Sequence, residues 1–379
     1  MPSELTRDQD DPRGARELVV RLHACGFSEA AYLDRQDDLR RARMDPAAAL
    51  RHFLRCGIDE DRFVPCAPFP DGLRALADLR LPNRDYGRKL FRAICVGQLR
   101  HADTAGRLWR GIGAATIEMI REQGGLPYFA IGDSHIEHYF RTTWSWNRWL
   151  APMVMTCPGA TGANLADLGG KSRFGLNILQ WAQTEAKHLN VPILLKFGGI
   201  DTEFAWIRHM IRNKMDRSSK GAFETYCHDA LTQYGRFLDM LIDIAGPKQL
   251  WICSVFPAIL RDDAWTAGFI RANADTPERN RRLAETLAGL EIPSLIERTA
   301  MRNHYNRGLQ ALCTARTLPF IDDFTPFIGD KGVVDARFLG AHAGADHHLD
   351  VPASRDILAA IIHRVAADHG GWRGTDPTG

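Results

Sequence analysis

Downstream of Gly124-Gly125 the chain alternates short apolar runs with longer amphipathic ones, and this alternation limits the possible folds more than any other property. Runs at 129–131, 153–156, 191–197, 249–255 and 319–321 read as strands. Segments 135–141, 174–189, 220–244, 294–314 and 354–367 read as helices. Strands separated by helices predict an α/β fold in three layers, a parallel sheet covered on both faces. The stretch 257–285, rich in Asp, Arg and Asn, reads as a loop beside the site, with a helix after Pro277. Upstream the chain reads as all-α: segments 16–25, 28–32, 46–56, 72–78, 86–99 and 105–122 carry apolar residues three and four apart, broken by Gly57, Pro65, Pro68, Pro70 and Pro82. The expected organisation is a helical domain and connector over 1–124, an α/β domain over 125–369 and a disordered tail over 370–379.

Within the α/β part, Gly132-Asp133-Ser134-His135 follows the first apolar strand and opens an amphipathic segment. A strand-turn-helix corner presents a serine hydroxyl at the carboxyl end of a sheet, where open α/β sheets bind ligands. A serine is a weak nucleophile until a base takes its proton and a carboxylate orients that base. The candidates are in Asp346-His347-His348-Leu349-Asp350, just before the last helix. Between these ends lie two glycine turns, Pro158-Gly159-Ala160-Thr161-Gly162 and Gly198-Gly199-Ile200-Asp201, the second directly after a strand. Glycine lets a backbone approach a ligand closely and aim N–H groups at it.

Four stations in this order resemble the SGNH/GDSL hydrolase family over residues 127–367. The resemblance implies a flavodoxin-like three-layer α/β/α fold, Ser134 as nucleophile and oxyanion donor, Gly159 as the second-block glycine and a further oxyanion donor, His348 as base, and a third block at Gly199 and Asp201 that serves the oxyanion or the substrate. Two positions depart from the family's pattern. Ile200 stands where the oxyanion asparagine belongs, and Ala345 stands three residues before His348, where the aspartate belongs. The acid is then Asp346, offset by one position, or a backbone carbonyl in a Ser-His dyad, and His347 rivals His348 as base. Ile200 marks either decay or a Gly-Asp-Ser-His subfamily from glycan biosynthesis.

Each residue also has a plainer reading. Ser134 alone is an ordinary turn serine, and Asp201 caps the helix that follows it. His135 and His138, with Asp133 and Glu137 nearby, invite a metal, but no second ligand pair stands at metalloenzyme spacing, so no metal and no cofactor are expected. Trp144, Trp146, Trp149 and Trp206 offer faces for sugar rings or bury large apolar areas in a core. Arg208 and His209 meet an anionic sugar or face water.

Upstream, Phe27 to Leu33, Asp45-Pro46 and His52-Phe53-Leu54-Arg55-Cys56-Gly57 resemble a short helical module that accompanies bacterial glycosyltransferases and other polysaccharide-assembly proteins. Phe27, Tyr32, Leu50, Phe53 and Leu54 would form a helical mini-core in any case. The two resemblances together imply a serine-dependent esterase or deacetylase acting on an acylated sugar or glycan, alongside polysaccharide-biosynthesis enzymes. The alternatives are an O-acyltransferase, or a glycan-binding protein with a degenerate site.

Composition narrows the setting. With 379 residues and a formal charge of +2, the chain is long enough for two or three domains and lacks the basic stripe of a nucleic-acid binder. Residues 1–16 lack the apolar core of a signal peptide, and no apolar run approaches the roughly 20 residues that span a bilayer. The expectation is a cytoplasmic protein. Its eight cysteines, without any Cys-x-x-Cys, read as reduced thiols.

Overall fold

The computed structural model describes residues 12–34, 36–57, 90–91, 94–95, 114–140, 149–273, 276–340 and 346–369. The chain falls into two compact units, one of residues 1–128, 143–154 and 372–379, the other of 129–142 and 155–371. The expected helices at 72–78, most of 86–99, the first part of 105–122 and the tail after 369 lie outside the described residues. Trp144, Trp146 and Ala345 do too.

In the first unit, helices Pro12–Ala24, Glu29–Asp34, Asp37–Arg41 and Pro46–His52 run into a π turn, Phe53–Gly57. Asp45 starts the fourth by accepting from the Ala48 N–H at 2.8 Å, with Pro46 at the first helical position. Phe27 and Phe53 lie 5.2 Å apart, and Tyr32 meets Phe53 edge-on at 5.4 Å. These three rings form the mini-core, with Leu50 and Leu54 only half-buried at its margin. The Tyr32 hydroxyl bonds His52 Nδ1 at 3.0 Å. A Cβ on Gly57 would come within 2.5 Å of that hydroxyl, so the glycine of the His-Phe-Leu-x-x-Gly pattern makes room for Tyr32.

A five-stranded sheet follows: β1 (Gly125–Gly132), β2 (Trp149–Thr156), β3 (Ile193–Lys196), β4 (Leu250–Cys253) and β5 (Phe320–Ile321), in the order β2-β1-β3-β4-β5. β1 pairs in parallel with β3, β3 with β4 and β4 with β5. This is the flavodoxin-like doubly wound order, whose switch point lies between β1 and β3. All eight residues of β1 and all four of β3 and of β4 are buried, as in a parallel sheet covered on both faces.

The long helices Lys220–Ala245, Leu295–Ala315 and Val351–Asp368 match the amphipathic segments. Leu295–Ala315 opens on a capping box, in which the Ser294 side chain accepts from Glu297 N and the Glu297 side chain accepts from Ser294 N. Two expectations need correcting. The stretch 257–285 is not a loop: Trp265–Asn273 is helical and buries Trp265, Gly268 and Phe269 before Pro277–Leu287 begins. The nucleophile segment is a 3-10 turn, Ser134–Ile136, followed by one α turn, Glu137–Phe140, rather than a continuous helix.

No helix among the described residues is long and apolar enough to cross a membrane. Cys95, Cys227, Cys253 and Cys313 are buried and Cys56 is exposed.

Candidate active site

At Gly132, β1 touches its neighbour so closely that a Cβ would lie 2.3 Å from the Lys196 carbonyl oxygen. The chain turns there. The Asp133 N–H donates to that same carbonyl at 3.1 Å. The Asp133 carboxylate caps the 3-10 turn by accepting from the His135 N–H at 2.9 Å, and from His135 Nδ1–H at 2.7 Å. Ser134, at the first position of that turn, has an N–H without an intrahelical acceptor and is half-buried, whereas Asp133 and His135 are fully buried.

The other half of the site arrives from the segment before Val351–Asp368, which Asp350 caps through Ala353 N–H at 3.0 Å. The Ser134 hydroxyl lies 2.9 Å from His348 Nε2, and His348 Nδ1 lies 2.6 Å from Asp346 Oδ1. The structure thus brings Ser134, His348 and Asp346 into one hydrogen-bond chain. Asp346 also accepts from the His348 N–H at 3.2 Å, which accounts for the offset: two residues away, the carboxylate reaches both the ring and the backbone of the histidine. The hydrogen bond from His348 holds the Asp346 carboxyl well below the usual carboxylate range, against the cost of its partial burial. The His347 ring centroid is 4.0 Å from that of His348. Burial, followed by the neighbouring imidazoles His135 and His348, lowers His347 to about 2, so it stays neutral. The serine hydrogen bond belongs to His348.

No family model matches the sequence, and no curated protein matches it. Among solved structures, a GDSL-like lipase from Bacteroides thetaiotaomicron is similar with a TM-score of 0.36 at 13% identity, over 72% of this chain and 98% of that one. A proposed acylhydrolase from Bacteroides fragilis gives 0.32 at 10% identity, over 69% and 97%. Likeness of this order leaves the chemistry to be argued from the residues.

The remaining site residues fall into two groups. Gly159 has φ +71°, in the left-handed region glycine favours, and no heavy atom lies within 4 Å of where its Cβ would be. It is exposed in the turn after β2. Gly199 and Asp201, by contrast, are buried. A Cβ on Gly199 would lie 2.9 Å from His135 Nδ1 and 3.1 Å from Asp133 Oδ2, so Gly199 lets the third-block turn press on the Asp133–His135 pair. Gly198, with φ +110°, supplies the sharp bend. Ile200 is 5% exposed and offers no donor.

Asp201 is wholly buried and does not cap its own helix. Its carboxylate accepts from the N–H groups of Gly162, at 2.7 Å, and Ala163, at 3.1 Å. It thereby caps the 3-10 turn Ala163–Ala166 and ties the turn after β3 to the turn after β2. Burial pushes the Asp201 carboxyl up to about 6, although both amide donors oppose this. That value lies above the ordinary 3.8, so its contribution to stability is full below about pH 4 and is lost as pH rises through about 6, at a cost of about 3 kcal/mol at neutral pH. Urea titrations should therefore show a component of stability that declines over this window in the wild type and is absent from Asp201→Asn. An equal decline in the variant would remove Asp201 as its source.

Trp149 and Trp206 are core residues rather than sugar platforms. Trp149 donates its indole N–H to the Gln123 carbonyl at 3.0 Å. Trp206, 1% exposed, stacks on His209 at 5.5 Å. Arg208 bonds Asn273. His138 is also buried and lies against Phe256 at 5.4 Å and Ser354 at 3.4 Å.

Two buried charge networks had no counterpart in the sequence reading. Lys196 Nζ, at the end of β3, reaches Asp323 Oδ2 at 2.6 Å and the Ser254 carbonyl at 2.5 Å, and sits 3.3 Å from the centre of the Phe256 ring. Asp323 also accepts from Ser254 Oγ at 2.6 Å and from the Tyr139 hydroxyl, which hangs on the nucleophile segment. Glu203 pairs with Arg302, whose Nη1 donates to the carbonyls of Phe256 and Pro257 at 2.9 Å each. The one local signal for the first network was a lysine closing the apolar run Val191-Pro192-Ile193-Leu194-Leu195.

Proposed function

We propose that the chain is a serine-dependent ester-bond enzyme of the SGNH/GDSL type that acts on an acylated carbohydrate or glycan precursor. The observation carrying this reading is the Ser134–His348–Asp346 hydrogen-bond chain, formed by residues 214 positions apart. It lies at the switch point of a doubly wound sheet, where such folds bind ligands. A degenerate binding site has no need to keep serine, imidazole and carboxylate in bonding order.

In the proposed reaction His348 Nε2 takes the Ser134 proton as Oγ attacks the acyl carbonyl, and the Asp346 carboxylate stabilises the resulting imidazolium. The N–H groups of Ser134 and Gly159 hold the oxyanion. Without an asparagine at position 200, the hole has one side-chain donor fewer, a deficit of roughly a hundredfold or more in rate. Collapse of the intermediate expels the alcohol, which takes the proton back from His348, and leaves Ser134 acylated. Water, deprotonated by His348, then releases the acid and restores the serine.

The Asp346 side chain is 52% exposed and that of His348 27%, which favours water over a sugar hydroxyl as acyl acceptor. The carbohydrate part of the reading rests on the N-terminal resemblance to modules of polysaccharide-assembly proteins.

The test is fluorophosphonate labelling read by intact mass. One adduct is expected on the wild type and none on Ser134→Ala. Folded wild type that takes no label, or a Ser134→Ala variant that takes it equally, would sink the reading. Release of acetate from acetylated sugars, compared with transfer to an added sugar acceptor, then separates hydrolase from transferase.

A further inference from the structure

Three imidazoles from two distant parts of the chain converge beside Ser134. His135 comes from the nucleophile turn, and His347 and His348 from the segment before the last helix. Their ring centroids lie 5.0 Å (His135–His348), 5.3 Å (His135–His347) and 4.0 Å (His347–His348) apart. One ring nitrogen of each lies within 4.8 Å of the others.

The orientation of the rings is set from behind. Asp133 holds His135 by Nδ1, which leaves Nε2 as the free face of a ring only 2% exposed, and that nitrogen has no hydrogen-bond partner. A buried polar atom left unpaired costs about 1–3 kcal/mol. Asp346 holds His348 by Nδ1 in the same way and turns its Nε2 inward. A carboxylate gripping the far nitrogen is the usual outer shell of a metal-bound imidazole, fixing the tautomer and raising ligand basicity.

We propose that His135, His347 and His348 form a binding site for a divalent transition cation of the zinc type, and that its occupation withdraws His348 from Ser134. Three neutral nitrogen donors suit Zn²⁺, Co²⁺ or Ni²⁺ rather than the oxygen-seeking Mg²⁺ or Ca²⁺. A tetrahedral zinc about 2.0–2.1 Å from each nitrogen holds its ligands roughly 3.3 Å apart, so the rings need close by no more than about 1.5 Å. The carboxylates of Asp133 and Asp346 supply compensating charge behind two of the ligands. The nearby guanidinium of Arg302 is already paired with Glu203.

The consequence for Ser134 is exclusive. The Nε2 lone pair that accepts its proton is the one a metal would use. Binding itself does not depend on Ser134 being a nucleophile; the loss of reactivity rests on the function proposed above.

Two measurements on the purified full chain, stripped with chelator, test the two parts separately. Equilibrium dialysis against ZnCl₂ should load one zinc per wild-type chain and one per Ser134→Ala chain. Affinity should fall at least tenfold in His347→Ala and in His135→Ala, and by roughly 10- to 100-fold in Asp133→Asn, which removes only outer-shell support. Co²⁺ on the wild type should give the strong visible bands of a tetrahedral nitrogen site, a readout independent of any variant's folding. Absence of those bands together with substoichiometric zinc overturns the site, as does zinc binding indifferent to His135→Ala and His347→Ala. Fluorophosphonate labelling of wild type should then slow at least tenfold with zinc relative to chelator. Labelling that ignores zinc or requires it overturns the exclusion. A serine inert under both conditions counts against the ester-bond reading and leaves the metal site to be decided by dialysis alone.

Discussion

The His348→Ala variant should hydrolyse p-nitrophenyl acetate roughly 10⁴- to 10⁶-fold more slowly than the wild type, the range lost when a triad serine or histidine is removed. Among the described residues, His348 Nε2 is the base within bonding distance of the Ser134 hydroxyl, at 2.9 Å. Ser134→Ala should fall as far, and the double variant no further, because the two residues act as one unit. Asp346→Asn separates a triad from a dyad. Its amide still accepts from His348 Nδ1 but carries no charge to stabilise an imidazolium. The loss should be real yet smaller than the roughly 10⁴-fold seen for a buried acid, because the Asp346 side chain is 52% exposed and water shares its role. Steady-state kcat/KM with circular dichroism on each variant decides the matter. Near-wild-type turnover in folded His348→Ala would end the assignment, and a loss there matched by His347→Ala would transfer it to the pair.

The second large effect concerns stability. Asp323→Ala should destabilise the protein by about 3–5 kcal/mol, the range for breaking a buried ion pair from one side. The reason is the company Asp323 keeps: Lys196, 3% exposed, and the hydroxyls of Ser254 and Tyr139 all donate to a carboxylate that is 0% exposed. Its removal takes the counter-charge from a buried ammonium, which keeps the Ser254 carbonyl, and takes the carboxylate acceptor from two buried hydroxyls. Lys196→Met should cost a comparable amount by leaving the carboxylate unpaired. The Lys196→Met, Asp323→Ala double variant should lose clearly less than the sum of the two. Thermal melts should place the single variants lower by roughly 10 °C or more. A loss under about 1 kcal/mol in Asp323→Ala would mean that the pair contributes little over its desolvation.

The parts of this molecule that could be read from the sequence are those whose signals are local. Strand runs, the glycine-bounded nucleophile turn and the helix started by Ser294 each declare themselves within a few residues. The order of the site residues was legible for the same reason, since each sits in its own short turn. Asp346 was legible only as a candidate, because a two-residue offset can satisfy or miss a ring depending on backbone geometry. Partners chosen across the fold left no trace. Lys196 and Asp323 are 127 residues apart, and nothing near Asp201 indicates that its carboxylate reaches Gly162 and Ala163 rather than the first turn of its own helix. The helix Trp265–Asn273 was overlooked because the wider stretch 257–285 is rich in Asp, Arg and Asn; the four-residue spacing of Trp265 and Phe269 was the available clue. The convergence of His135 with His347 is invisible until the last helix is docked.

The carboxylate of Asp201 gives the site a mechanical property as well as a geometric one. With the strand order β2-β1-β3, the turns it joins flank the strand that carries the serine. A loop whose amides are clasped by a fully buried charge cannot swing by itself, and any displacement of the Gly159 turn must draw the Gly198-Gly199 bend with it. That bend leans on Asp133 and His135. The floor of the site is therefore braced as one unit.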